Sequence, residues 1–192
     1  MANILVIESS AHKSESVSRM LVAEFVEKLR QKDASHQFVF RDLVDQPIDI
    51  LNEETVKVIR TRPDQLTDEM MQRSALSNML IDELKAADFI VIGAGMYNWS
   101  IPAALKAWLD QVMRIGFTFS YGENGIQGLI NKPALVVLSR GGDYSSPERA
   151  VLDMQKPYLA SVLKVMGLDV TFAIMEGAAL PDCLLYTSPS PR

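Results

Sequence analysis

Apolar residues fall along this chain in short unbroken blocks, separated by longer stretches in which they recur every three or four positions. The first block, Asn3–Glu8 (NILVIE), is nearly continuous and β-branched, the pattern of a strand covered on both faces of a parallel sheet. Residues 37–41 (QFVFR), 89–94 (FIVIGA), 134–138 (ALVVL) and 170–175 (VTFAIM) read as four more strands. Between them lie helical periods. Met20, Leu21, Phe25, Val26 and Leu29 share one face, with Ser16 or Ser18 as the cap. A long helix is expected from Thr67 through Ala86, carrying Met70, Met71, Ala75, Met79, Leu80 and Leu84 as core fillers. Another follows Pro102 over residues 103–113, and a third spans 148–166, open to interruption before Pro157 and closed by Gly167. Residues 42–64 are looser, with Pro47 and Pro63 as breakers and a short helix near 54–60. Residues 117–121, followed by Gly-Glu-Asn-Gly, suggest a hairpin or flap turning at Asn124-Gly125.

Strands alternating with helices imply crossover connections, and therefore a parallel α/β sheet wound on both faces. The expected architecture is one domain with five strands in the order 2-1-3-4-5, whose ligands bind beyond the carboxyl ends of the strands. A length of 192 residues with 48% hydrophobic and 22% charged residues suits one such domain with a real core. The net charge of -5 argues against a nucleic-acid partner. Cys183 is the single cysteine, and His12 and His36 the only histidines, so neither a disulfide framework nor a metal site is expected. The start runs directly into a strand without a basic, long apolar leader, and no apolar run reaches membrane-spanning length. A cytoplasmic protein with no membrane partner is the resulting expectation.

Three loops leave the ends of the first, third and fourth strands and should meet on one rim: residues 9–18, 95–101 and 139–146. The first carries Ser9, Ser10, Ser14, Ser16 and Ser18 ahead of a helix, and hydroxyls with helix-start amides suit a phosphate. Simple capping and a solvated loop would give the same residues, and no glycine-rich nucleotide motif is present. The second, Gly95 to Pro102, offers Tyr97 and Trp99 as flat surfaces and Asn98 for the edge of a heteroaromatic ring; a loop packed under its own helix remains the other reading. The third, Ser139-Arg140-Gly141-Gly142, has amides for the polar edge of a flavin or nucleotide, or else is a turn that needs positive φ.

The succession of the serine loop, MYNWSIPAALKAWLD (residues 96–110), FTFSYGENGIQGL (117–129) and LSRGG (138–142) closely resembles the FMN-dependent NADH azoreductases, also described as FMN-dependent NADH:quinone oxidoreductases. The resemblance implies a flavodoxin-like homodimer with bound FMN and NADH as co-substrate. Matched position by position, it implies that Ser10, Ser16, Val17 and Ser18 hold the phosphate. Met96, Tyr97, Asn98 and Trp99 would line the isoalloxazine, and Ser139, Arg140, Gly141 and Gly142 would touch its edge. Trp99 stands where relatives often have Phe, and Val17 where a polar residue is common. Phe117, Phe119 and Tyr121 are candidates for an apolar wall on which substrate stacks, with hairpin packing as the alternative. The implied reaction moves two electrons from NADH to a quinone or azo compound in two steps through one pocket. FMN carries the chemistry, so no acid–base side chain is nominated. A flavodoxin-type electron carrier without its own substrate is the rival reading.

After Leu180 the pattern breaks: three prolines stand among the last twelve residues, where the family would continue with a final helix. The expectation is a flavodoxin-like unit over 1–180 and an irregular, non-family tail over 181–192, read as foreign sequence on a truncated gene. The closing helix would then be missing and the fold less stable for it.

Overall fold

The computed structural model describes residues 1–123 and 125–178, together with the backbone of Leu185–Thr187. The chain runs β1 (Asn3–Glu8), α1 (Val17–Lys32), β2 (Gln37–Asp42), α2 (Glu53–Arg60), α3 (Asp68–Arg73), α4 (Ala75–Ala86), β3 (Phe89–Gly95) and α5 (Ala103–Val112). It continues through β4 (Phe119–Gly122), β5 (Gly125–Gly128), β6 (Pro133–Ser139), α6 (Pro147–Ala150), α7 (Lys156–Val165), β7 (Asp169–Glu176) and β8 (Leu185–Thr187). The five apolar runs pair as parallel strands in the order β2-β1-β3-β6-β7, the doubly wound α/β arrangement. Within the tail expected to be irregular, β8 instead pairs antiparallel with β7, adding a sixth strand to that edge. The expectations for the remainder of the tail and for the absence of a closing helix fall outside the described residues.

Alternation along each strand divides the apolar residues between two layers. Leu5, Ile7, Ile90, Ile92, Val136 and Leu138 face α4, α5 and α7, where Leu80, Leu84, Leu105, Trp108, Leu159 and Leu163 are all fully buried. Ile4, Val6, Val91 and Val137 face Val22 and Val26 of α1. Among the described residues α1 alone packs on this second face. Beside it runs a groove of about 400 Å³ lined by Leu21, Phe25, Leu135, Val137 and Ala173.

Two expected helices are each split. The first breaks at Ser74, whose hydroxyl donates to the carbonyl of Met71 at 3.0 Å and whose backbone (φ -90°, ψ 6°) leaves the helical region. Such a back-bond offers the backbone an alternative to the helical ladder. The second breaks over residues 151–155, where the Asp153 carboxylate accepts from the amides of Gln155 and Lys156, both at 3.0 Å. Pro157 then occupies the first turn of α7, the position in a helix where its missing N–H does no harm.

Arg114, just beyond α5, is fully buried, and among the described residues no carboxylate pairs with it. It donates to Asn78 Oδ1 at 2.6 Å and Ser77 Oγ at 3.1 Å, and its guanidinium lies 4.1 Å from the centre of the Phe117 ring. Its Nε and Nη2 are buried without a hydrogen-bond partner. Burial lowers the Arg114 pKa. The β4–β5 hairpin is fixed to α7 by a backbone approach: a Cβ on Gly128 would sit 2.2 Å from the Gly167 nitrogen. Gly167 itself closes α7 at φ +87°. Among the described residues no helix is long and apolar enough to cross a membrane.

Because backbone cannot yield as a side chain does, Gly128→Ala is expected to destabilise the fold by on the order of 1–3 kcal/mol. Urea unfolding should show a lower midpoint, whereas Gly125→Ala, with no atom near its Cβ, is limited to the strain of its positive φ.

Candidate functional site

The parallel register brings the ends of β1, β3 and β6 to one level, and the loops that follow them are bonded together. Ser9 Oγ donates to the carbonyl of Gly93 at 2.6 Å, and the amide of Met96 donates to the carbonyl of Ser139 at 2.8 Å. The Tyr97 hydroxyl bridges the first two loops, 3.2 Å from Ser10 Oγ and accepting from the amide of Ala11 at 3.1 Å. Ser10, Ser18, Tyr97 and Ser139, far apart in sequence, therefore share a rim.

At the start of α1, Ser16 caps the helix by accepting from the amide of Arg19, and its hydroxyl is 3.1 Å from that of the buried Ser18. Val17 occupies the first helical position. The first amides of a helix have no partner within it, so this end presents hydroxyls and N–H groups together. Arg19 contributes no free charge: it donates to Asp42 at 2.6 and 3.0 Å and to the carbonyl of Ser10 at 2.9 and 3.2 Å. The donor set is thus neutral hydroxyls on a helix start, which fits a phosphate monoester.

Residues 97–100 make a tight turn closed by reciprocal backbone bonds of 3.0 Å between Tyr97 and Ser100. Its two central residues lie in the left-handed region, Asn98 at φ 47° and Trp99 at φ 64°. For an indole-bearing residue this conformation is strained, and it turns Trp99 outward, 53% exposed. The Trp99 carbonyl is held by the amide of Met154 at 3.0 Å. Met96 and Tyr97 are half-buried and Asn98 exposed. A cleft of about 420 Å³ opens here, lined by Tyr97, Asn98, Ser100, Ile101, Lys106 and Tyr158.

Arg140 departs from the picture of a solvated or ligand-facing charge. Its side chain is buried, donating to Glu176 at 3.0 Å, Asp153 at 2.7 Å and Gln155 Oε1 at 3.4 Å. Gln155 in turn donates to the carbonyl of Ala94 at 3.2 Å, and Glu176 accepts from the amide of Tyr144 at 3.1 Å. The Arg140 backbone is engaged as well, the amide donating to the carbonyl of Met175 and the carbonyl accepting from the amide of Ala178, both at 2.9 Å. Gly141 is exposed, Gly142 is half-buried, and neither has positive φ, so the pair is not present for a left-handed turn.

The hairpin aromatics separate. Phe119 and Tyr121 meet edge to face at 5.8 Å and line a second cleft of about 390 Å³ with Leu51, Ile59, Asp110 and Met113. It adjoins the Tyr97 cleft along α5, where Lys106 on the first pairs with Asp110 on the second. Phe117 turns away to lie under Arg114 against the core. A larger cleft of about 590 Å³, between α4 and β1 and β2, is lined by Ile4, Leu5, Val39, Ala75 and Met79 and contains none of the rim residues.

Sequence reading missed Arg19, Lys106, Tyr158 and the carboxylates of Arg140; single charges carry no periodic signal, although Lys106 stood inside the Pro-x-x-Leu-Lys stretch. It also missed Glu8. This carboxylate ends β1 beneath the serine loop, with Oε2 buried and unpartnered. Burial pushes its pKa up from 4.5 to about 7, against the attraction of Arg19 and with repulsion from Asp42.

The sheet and its rim define a flavodoxin-like α/β protein. A family model described as a flavodoxin-like fold matches residues 2–182. The FMN-dependent NADH:quinone oxidoreductase of Hyphomonas neptunium (strain ATCC 15444) is 44% identical over 178 residues, 92% of this chain and 85% of its own length. That of Azotobacter vinelandii (strain DJ / ATCC BAA-1303) is 42% identical over 179 residues, 92% of this chain and 88% of its own. The crystal structure of an azoreductase from Bacillus anthracis str. Sterne superposes with a TM-score of 0.85 at 25% identity, covering 93% of this chain and 88% of that one. The chain belongs to the flavodoxin-like family and, within it, to the FMN-dependent NADH:quinone oxidoreductases.

Replacing Arg140 by Met should cost about 3–5 kcal/mol in urea unfolding, because it strands two buried carboxylates. Glu8 gives a pH signature. With its folded pKa raised, its contribution is full below about pH 4.5 and is lost as pH rises through about 7, on the order of 3 kcal/mol in all. Thermal midpoints of Glu8→Gln should accordingly exceed those of the unsubstituted protein above pH 7 and lack this dependence.

Proposed function

We propose that this protein is an FMN-dependent oxidoreductase that carries two electrons from NADH to quinones and aromatic azo compounds, in two half-reactions through one pocket. The observation that carries the reading is the meeting of the serine loop, the Tyr97–Asn98–Trp99 turn and the Ser139–Gly142 backbone on one rim, in a chain 44% identical to an FMN-dependent NADH:quinone oxidoreductase. FMN bound there supplies the redox chemistry. The chain supplies binding and orientation. Ser10, Ser16, Val17 and Ser18 hold the phosphate, and Met96, Tyr97, Asn98 and Trp99 support the ring system. Ser139, Gly141 and Gly142 meet the ring edge, and Arg140 anchors that loop from beneath through Asp153 and Glu176. Phe119 and Tyr121 provide the apolar surface against which an aromatic acceptor rests, and Phe117, packed under Arg114, is not part of it. Relatives named as FMN-dependent NADH:quinone oxidoreductases favour the enzyme over a carrier.

The working form is a cytoplasmic homodimer in this reading. Exposed Trp99, Val151, Leu152 and Met154 cluster beside the rim, tied through the bond from Met154 to Trp99, and pairing of two copies would cover them.

The decisive experiment is the visible spectrum of the protein with FMN. Anaerobic NADH should bleach the flavin bands and a quinone should restore them; bound flavin that NADH does not bleach would leave a carrier instead. Tyr97→Phe removes the hydroxyl that bridges Ser10 and Ala11 and should weaken FMN binding about five- to tenfold, read by fluorescence titration.

A further inference from the structure

Glu8 lies level with Asp42 on one side and Gly93 on the other in the register of β1 with β2 and β3. Its carboxylate leans over Gly93: a Cβ there would stand 2.6 Å from Oε2 and 3.1 Å from a methyl group of Val22. Oε2 is buried and receives no hydrogen bond. The charged groups facing it are Arg19 from α1 and Asp42 from β2, while β3 presents only glycine. Arg19, however, directs its bonds to Asp42 and to the carbonyl of Ser10. Asp42 accepts further from the amides of Val44 at 2.9 Å and Asp45 at 3.3 Å; the Arg19 bond first, and then the Val44 amide, hold it below the ordinary carboxylate range. Lys13, in the loop above, is paired with Asp45. Two carboxylates therefore share one guanidinium under the serine loop, and the hydrogen bonds favour Asp42 as the one that stays ionised.

We propose that the loop at residues 9–18 takes a phosphate monoester dianion with Glu8 in its neutral form, so that binding carries one proton into the protein. The inference rests on the reading of this loop as the FMN phosphate site. A dianion above the ionised pair would face a net negative floor, two carboxylates against one guanidinium. The proton relieves this without moving the backbone: it goes to the Glu8 carboxylate, and no other bond is made or broken. Glu8 is thus a positioning group for the charge balance of the site, distinct from the hydroxyls that touch the phosphate.

The test compares FMN with riboflavin, which lacks the phosphate, in titrations of the protein across pH values above about 7, where a phosphate monoester is already dianionic because its second pKa is about 6. Expected is an FMN dissociation constant that rises with pH by up to about tenfold per unit, a flat response for riboflavin, and a flat response for FMN with Glu8→Gln. Calorimetry in two buffers of different ionisation enthalpy should count close to one proton taken up per FMN near pH 8, a readout that uses the unsubstituted protein and so survives a variant that does not fold. An FMN affinity that exceeds riboflavin's but is independent of pH, with no proton uptake, overturns the proposal and leaves the cofactor site intact. Equal affinity for FMN and riboflavin overturns both, because the loop then does not hold the phosphate. Persistence of the full slope in Glu8→Gln assigns the proton elsewhere and also overturns it.

Discussion

The guanidinium of Arg140, withdrawn from water, finds its counter-charges inside the protein in Asp153 and Glu176. Each comes from a different part of the chain: Arg140 follows β6, Glu176 ends β7, and Asp153 lies in the break between α6 and α7. Gln155 extends the set to the Ala94 carbonyl at the end of β3. Desolvation makes such a group costly when any member is absent and rigid when all are present. Separate backbone bonds complete the frame: the amide of Gly177, next to Glu176, donates to the carbonyl of Gly142 at 3.2 Å, and that of Met154, next to Asp153, to the carbonyl of Trp99 at 3.0 Å. The rim is therefore shaped before any ligand arrives, as positioning of a planar ring demands.

The parts of this fold legible in the sequence are those written as periodic apolarity. The runs NILVIE, FIVIGA and ALVVL can satisfy their apolar faces only between helix layers, and they became β1, β3 and β6. The loops after them could be placed on one rim from topology alone. What stayed hidden depends on single polar contacts made at a distance. Nothing in the spacing around Ser74 marks a break, because an apolar period continues through it on both sides. The direction of Arg140 was hidden for the same reason: a charge beside Gly-Gly looks solvated until Asp153 and Glu176, 13 and 36 residues on, are brought beside it. Phe117 belonged by composition with Phe119 and Tyr121, yet the cation at Arg114 drew it inward.

The two ends of the rim use opposite electrostatic strategies. Around Arg140 the charges are paired and buried, which fixes shape. Around α1 the hydroxyls are neutral and the nearby cation is already engaged, so attraction for a phosphate comes from the helix start and from oriented dipoles. An acidic chain can in this way hold an anionic ligand without a basic patch.

The Gly128–Gly167 approach bears on how the pocket adapts. Two backbones in contact without side chains between them act as a weld, and the strand that carries Phe119 and Tyr121 is paired to the welded one. The hairpin then resists lifting like a lid, since raising it would drag the end of α7 along. If acceptors rest on Phe119 and Tyr121 as proposed, those of different girth would be accommodated by rotation of these two rings, a matter of rotamers rather than of loop opening.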